Sequence, residues 1–406
     1  MTDILGYNSK RDRNIFLLCF LAYSATYICR LNYSCIIPQL SSLGIMNESK
    51  IASVSSAFFV CYGLGQIVSG IIGDRINTRY MIFFGVFLSS LSNILICFLN
   101  SYPFLITLWA LNGLFQSLVW SPILKLASVE YDSKTCDKFG MQMSVTVPLG
   151  TVLSYGVSLV TMIFLPWKCV FLTCGLILFA VSLIWLFGTQ GLNLHKNTAK
   201  SENNVNIKAS LKTLAITGTV ILLVPIIVQG TLKDSVTQWV PEFFSSQFNS
   251  NTSFSLLLTM LLPVVNVTGA FFAKRVNDRF KNEAKTSALF FFIALVFLIV
   301  LFAFSSKSLV LSLVSMITVT NCMFAVNVML ITIVPFKFAK YGNVSTVAGL
   351  LNATAYIGCA LANQIAGGIL SRSTWNTVII FWIILAIVAI VFCFIYSASK
   401  RKASAS

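Results

Sequence analysis

Twelve apolar segments, each as long as a membrane-spanning helix, leave this chain almost no other way to fold. They fall near residues 14–39, 50–73, 79–99, 103–128, 139–165, 167–188, 214–241, 252–273, 285–305, 308–335, 345–370 and 374–397. A span needs about 20 apolar residues, so most of the 406 residues are committed to crossing a bilayer, with short connections and one modest loop left over. The runs are uninterrupted, which excludes an outer-membrane barrel, whose strands alternate apolar and polar positions. Charged residues make up only 10% of the chain, against about 25% in an ordinary soluble domain, so a water-soluble fold and a disordered chain are both excluded. The 11 cysteines are scattered, several of them inside apolar runs; they lack the spacing of a disulfide framework or a metal knuckle and read as packing residues. The first segment is no cleavable signal: it is too long, it carries Arg30, and it has no small-residue cleavage pattern. The expectation is a single all-α polytopic membrane unit.

An excess of 28 Lys and Arg over 12 Asp and Glu could serve a nucleic acid, so the placement of the charges decides. With the N-terminus inside, 22 of the 28 basic residues fall on the inner side, in loops, tails and span ends, four (Lys50, Lys168, Lys307 and Arg372) on the outer side, and Arg30 and Lys233 well within spans. That is the positive-inside asymmetry. It predicts cytoplasmic termini, with the lipid bilayer and not a nucleic acid as the surrounding partner. The short termini and compact loops suit a bacterial cytoplasmic membrane, and a monomer is expected.

The longest hydrophilic stretch, TQGLNLHKNTAKSENNVNIKASLKT, halves the chain. The expected organisation is a cytoplasmic N-terminus over 1–13, a six-helix bundle over 14–188, a cytoplasmic connector over 189–213, a second six-helix bundle over 214–397 and a cytoplasmic tail over 398–406. An offset of 203 places Arg30 over Lys233 and Pro38-Gln39 over Pro241-Glu242, so the halves read as pseudo-symmetric repeats. Repeats with a pathway between them and a site near the midplane are what rocking, alternating-access transport requires. Gly and Pro in spans five (Pro148, Gly150, Gly156), eight (Pro263, Gly269) and eleven (Gly358, Gly367, Gly368) permit bending and close packing.

Charge inside the membrane is the sharpest functional signal, because an arginine or lysine at a helix centre costs about 2.5–3.5 kcal/mol even on the lenient insertion scale. Arg30 and Lys233 sit at similar depths in spans one and seven. The only carboxylate read clearly within a span is Asp234, and neighbours on an α-helix point about 100° apart, so it is not expected to share the face of Lys233. Two such cations suit a multiply charged anion, arginine offering a planar fork and lysine a point charge. Polar and aromatic stripes at helical spacing accompany them: Tyr23, Tyr27, Arg30 and Ser34 on span one; Phe59, Tyr62, Gln66 and Ser69 on span two; Asn112, Gln116 and Trp120 on span four; Asn352, Tyr356 and Asn363 on span eleven. The expected substrate-binding residues are Arg30, Lys233, Tyr27, Tyr23, Tyr62, Gln66, Trp120, Gln116, Tyr356 and Asn352.

Between spans two and three, Gly70-Ile-Ile-Gly-Asp74-Arg75-Ile-Asn-Thr-Arg79 reads GxxxDRxxxR. This looks like the cytoplasmic signature of the major facilitator superfamily, in which glycine allows close approach and Asp74, Arg75 and Arg79 form a charge cluster that makes and breaks as the halves rock. The second half keeps a worn copy, Gly269-Ala-Phe-Phe-Ala273-Lys274-Arg275, without the acid. Span one, AYSATYICRLNYSCIIPQL, span four, LNGLFQSLVWSP, and span seven, TLKDSVTQWVPEFF, resemble the corresponding segments of the organophosphate:phosphate antiporters. The resemblance covers nearly the whole chain. It implies the twelve-helix major facilitator fold, exchange of an organic phosphate for inorganic phosphate, and a site in which Arg30 and Lys233 hold the phosphoryl group. Two positions depart from the family: Gln66 stands where some members carry lysine, and Leu149 stands where glycerol-3-phosphate carriers have histidine.

The chain has no Ser-His-Asp set, no metal-ligand cluster and no P-loop, so neither an enzyme nor primary active transport is expected, and no cofactor or metal is called for. His195, the one histidine, lies in the connector and reads as a solvated loop residue. Two rivals to exchange remain: a proton-coupled organic-anion symporter using Asp234, and a transport-like sensor of a sugar phosphate.

Overall fold

A computed structural model describes residues 7, 9–72, 76–98, 101–143, 145–192, 219–336 and 344–403. Among the described residues, twelve helices are long and apolar enough to cross a membrane. Spans one to four are α1 (Lys10–Ser42), α2 (Glu48–Ile72), α3 (Thr78–Phe98) and α4 (Tyr102–Glu130); a short α5 (Ser133–Met143) leads to spans five and six, α6 (Thr146–Phe164) and α7 (Cys169–Gly188). Span seven is composite: a 3-10 turn (Thr219–Leu222), α8 (Leu223–Gly230), a π-helical turn (Thr231–Ser235) and α9 (Val236–Gln247). Span eight combines α10 (Thr252–Thr259) with α11 (Leu261–Phe280), and α12 (Glu283–Phe304) is span nine. Span ten runs from α13 (Leu309–Asn327) through a second π-helical stretch (Val328–Ile333) to α14 (Val334–Phe336); α15 (Val344–Leu370) and α16 (Trp375–Ala403) complete the set.

The expected spans are recovered, several with longer ends, whereas span five begins only at Thr146, Ser133–Met143 forming the separate short α5. Helix α1 continues through Pro38, and α9 through Pro241; proline is tolerated in membrane helices because neighbouring groups satisfy the carbonyl it frees. Starts are marked by caps, Asn282 accepting from the Lys285 amide at 3.0 Å and Asn251 from that of Phe254 at 2.8 Å. Outward faces are apolar, with Phe164 and Phe271 more than 70% exposed; that burden suits contact with lipid tails rather than water.

The chain packs as two compact units, one comprising Met1–Ile36 with Leu64–Glu202 and the other Ile37–Gly63 with Asn203–Ser406. The second unit thus includes the beginning of α2, which lies along α15: Ser56 Oγ donates to the Ala360 carbonyl at 2.7 Å, and Ser53 Oγ to Gln364 Oε1 at 3.0 Å. Of the central connector, residues 193–213, including His195, lie outside the described residues.

The repeat is visible in contacts made inside each unit. In the first, a Cβ placed on Gly65 of span two would stand 2.2 Å from Ser117 Oγ of span four; in the second, one on Gly269 of span eight would stand 2.4 Å from the Asn321 carbonyl of span ten. A Cβ on Gly150 of span five would stand 2.3 Å from the Ser24 carbonyl of span one, and one on Gly358 of span eleven 2.8 Å from Ile227 Cγ2 of span seven. Only glycine permits these approaches. Spans two and four correspond to eight and ten, and one and five to seven and eleven, as two six-helix repeats demand.

On the N-terminal side of the first unit, Arg11 Nη2 pairs with Glu130 Oε2 at 2.8 Å, Tyr131 donates to the Asp12 carbonyl at 2.7 Å, and Tyr7 donates to Gln142 Oε1 at 2.8 Å. Burial pushes both tyrosine hydroxyls well above their usual pKa, which keeps them protonated as donors.

Candidate functional site

In the first unit, Arg30 lies two-thirds of the way along α1 and is 7% exposed. Its guanidinium carbon sits 5.2 Å from the centre of the Tyr27 ring, one turn earlier, a cation–π distance. Tyr27 in turn meets Tyr23 edge-on at 5.5 Å, and Tyr23 packs on Trp120 of α4 at 4.5 Å. The expected stripe and the span-four tryptophan therefore form one wall. Gly150 of α6 backs it, since a Cβ there would come within 2.6 Å of Tyr27 Cβ. Leu149 beside it is more than a third exposed.

Behind the wall is a buried polar network. Asn112 Nδ2 donates to the Cys29 carbonyl at 2.8 Å, Ser89 Oγ to Asn112 Oδ1 at 2.6 Å, and Gln116 Nε2 lies 3.2 Å from the same Cys29 carbonyl. Gln116, expected to contact substrate, lies in this network where α4 meets α1 and α3. Gln66 of α2 differs. It is buried, its Oε1 is 3.5 Å from Ser121 Oγ, and its Nε2 has no hydrogen-bond partner among the described residues. A buried amide donor left open costs about 1–3 kcal/mol, and an anion's oxygen would satisfy it.

In the second unit, Lys233 occupies the π-helical turn of span seven, a widened geometry often found at functional positions. Its Nζ is 3.2 Å from Asp234 Oδ2 and 5.4 Å from the centre of the Phe324 ring. The pairing corrects the expectation that Asp234 cannot serve Lys233: the long, flexible lysine stem carries Nζ round the helix to its neighbour's carboxylate. The turn is anchored to α15, with Ser235 Oγ and Trp239 Nε1 both donating to Asn363 Oδ1, at 3.1 and 2.9 Å. Tyr62 of α2 meets Tyr356 of α15 edge-on at 4.7 Å, and Phe59 stacks on Tyr356 at 6.2 Å. Asn352, one turn before Tyr356, is half-buried.

Glu242 went unread as a membrane carboxylate. It lies within α9, is 7% exposed, and its Oε2 has no hydrogen-bond partner among the described residues. Its surroundings include Glu48 and Ser41, and Ser41 Oγ also donates to Glu48 at 3.0 Å. The signal was an acid straight after a proline in an apolar run, masked by ending the span at that proline.

Of the gating residues, Gly70 belongs to the last turn of α2, and Asp74 and Arg75 lie outside the described residues. Arg79 fastens α3 to α7: its Nη2 donates to the Leu186 carbonyl at 2.7 Å, and Trp185 Nε1 donates to the Arg79 carbonyl at 2.9 Å. Arginine at the last turn of α7 is where orphan helix carbonyls and the helix dipole favour a cation.

Over 94% of its length the chain is 26% identical to the glycerol-3-phosphate transporter of Bacillus subtilis (strain 168), covering 92% of that protein. It is 32% identical to the membrane sensor protein UhpC of Escherichia coli (strain K12), over 30% of this chain and 28% of that one. These names are consistent with the organophosphate:phosphate antiporter resemblance carried by spans one, four and seven. Among solved structures, a bacterial homologue of the human lysosomal transporter Spinster, in its inward-facing and occupied conformation, matches with a TM-score of 0.76 at 14% identity, over 97% of this chain and 98% of that one. The profile of the Major Facilitator Superfamily matches residues 15–363, and this multi-pass membrane protein of twelve helices belongs to that superfamily.

Proposed function

We propose that the chain is a secondary active transporter that exchanges an organic phosphate, of the sugar phosphate or glycerol phosphate class, for inorganic phosphate by alternating access. Arg30 and Lys233 bind the phosphoryl group, bordered by Tyr23, Tyr27, Gln66 and Trp120 from the first unit and Tyr62, Tyr356 and Asn352 from the second. The observation that carries this reading is Arg30, almost fully buried in span one against the Tyr27 ring. A guanidinium so placed can offer its planar fork to two oxygens of a phosphoryl group. Lys233 stands at the equivalent position of the second repeat. The kinship with a glycerol-3-phosphate transporter supports the substrate class.

Coupling follows if the occluded state binds the anion better than the open states do, so that the protein changes face only when loaded. The basic-residue asymmetry supports cytoplasmic termini, and the bacterial relatives favour a bacterial membrane. The unit of function is the single chain.

Phosphate counterflow in proteoliposomes, with a panel of internal phosphate esters, dicarboxylates and sulfate, tests this. Labelled phosphate is expected to enter only liposomes preloaded with a counter-anion. Uptake into empty liposomes driven by a pH gradient would mean symport. Tight binding of phosphate esters without flux would mean sensing, the role named for UhpC.

A further inference from the structure

Helices α3 and α7 run antiparallel inside the first unit, and their contacts keep one register. Arg79 meets Trp185 and Leu186 through the two hydrogen bonds described above. The Phe87 and Phe179 rings lie 5.7 Å apart. A Cβ on Gly175 would stand 2.8 Å from Ile94 Cγ1 and 3.1 Å from the Ile94 backbone nitrogen, so the two backbones come close. Residues advance along both helices at the same rise. Ten residues beyond Phe87 is Cys97, and ten before Phe179 is Cys169. The register therefore brings the next-to-last residue of α3 level with the first of α7. Both cysteines are partly exposed, while seven of the 11 are buried.

We propose that Cys97 and Cys169 are joined by a disulfide that staples the outer ends of α3 and α7. The inference rests on the topology argued above, in which a cytoplasmic N-terminus puts these ends on the extracytoplasmic face, where thiol oxidation is sustained. The oxidant is a disulfide of the extracytoplasmic oxidoreductase class. One cysteine thiolate attacks a sulfur of that disulfide and displaces one of its thiols; the second cysteine thiolate attacks the mixed disulfide and displaces the other. The pair loses two electrons and two protons, and the oxidant leaves as a dithiol. The staple lies within one unit, so it stiffens that unit without blocking exchange.

Cells expressing the full chain are treated from outside with a membrane-impermeant maleimide, before or after an impermeant phosphine reductant, and the peptides are mapped by mass spectrometry without further reduction. The expected result is a linked Cys97–Cys169 peptide in the untreated digest, with both thiols alkylated only after reductant. In Cys97→Ser, Cys169 should be alkylated without reductant, and exchange should persist. Purified wild-type protein should lose a few degrees of thermal midpoint on reduction, and Cys97→Ser should lose none. Alkylation of both thiols from outside without reductant would overturn the disulfide and leave the topology intact. Alkylation only in inside-out vesicles would overturn both.

Discussion

Lys233 Nζ stands 3.2 Å from the carboxylate of Asp234, its neighbour in sequence, on the π-helical turn of span seven. The pair is partly exposed, so holding it together is worth about 0–1 kcal/mol. An incoming phosphate can therefore displace the carboxylate at little cost. Asp234→Asn should leave counterflow intact and tighten half-saturation by phosphate by up to about fivefold, read as a falling KM at matched expression. Loss of all flux, together with loss of pH-driven uptake, would transfer the coupling role to Asp234.

Two distances separate what the sequence makes legible from what it does not. The wall of Arg30, Tyr27, Tyr23 and Trp120 follows from spacing of three and four on one helix and an aromatic on another, because α-helical periodicity maps sequence directly onto faces. The Lys233–Asp234 pair does not, because periodicity locates Cβ atoms, whereas a lysine amine swings over several ångströms. Nor does the burial of Glu242: a proline reads as a stop, although in a packed membrane helix its freed carbonyl finds other partners. The twelve spans and their repeat were legible because the bilayer requires long apolar helices. The interhelical contacts of Gln116 were not, since substrate contact and helix contact use the same amide chemistry.

Gln66 should gain from a charge. Its Nε2 is a buried donor with no hydrogen-bond partner among the described residues, so Gln66→Leu is expected to keep the fold and weaken phosphate binding by the worth of one neutral hydrogen bond, about 0.5–1.5 kcal/mol. Gln66→Lys should tighten phosphate esters instead. Unchanged affinities in both variants, measured by isothermal titration on folded protein, would remove Gln66 from the site.

Glu242 and Glu48 bring two carboxyls together around Ser41, and like charges so placed oppose each other. Glu242→Gln retains shape and removes the ionisable carboxyl, so the thermal midpoint should hold or rise by a few degrees. Glu242→Ala leaves a cavity and should lower it. A fall with glutamine as large as with alanine would show that the carboxyl itself is needed.

Arg30 and Lys233 should answer differently to the same conservative exchange. Arg30→Lys keeps the charge and loses the fork, and with it much of the exchange; Lys233→Arg should retain measurable exchange where the turn has room. Either glutamine variant should lose about 2–5 kcal/mol of anion binding, by analogy with truncated charge pairs, which is thirtyfold or more in affinity. Wild-type exchange rates in both glutamine variants would make the two cations structural.

Asn112 supplies the contrast, a polar residue beside the same wall whose bonds all run to protein. It donates to the Cys29 carbonyl at 2.8 Å and accepts from Ser89 at 2.6 Å, and Gln116 Nε2 lies 3.3 Å from its Oδ1. Asn112→Ala leaves the Ser89 hydroxyl short of an acceptor and opens a small void, and an unsatisfied buried polar group costs about 1–3 kcal/mol. Gln116→Ala should cost less, because its contacts are longer and Asn112 still serves the Cys29 carbonyl. Both variants should therefore lower the thermal midpoint of purified protein, Asn112→Ala by more, while phosphate affinity below that midpoint stays within about twofold of wild type, since the bonds lost run to protein and not to the anion. A variant that kept its midpoint and lost phosphate binding would reverse the assignment and put that amide back among the ligand contacts.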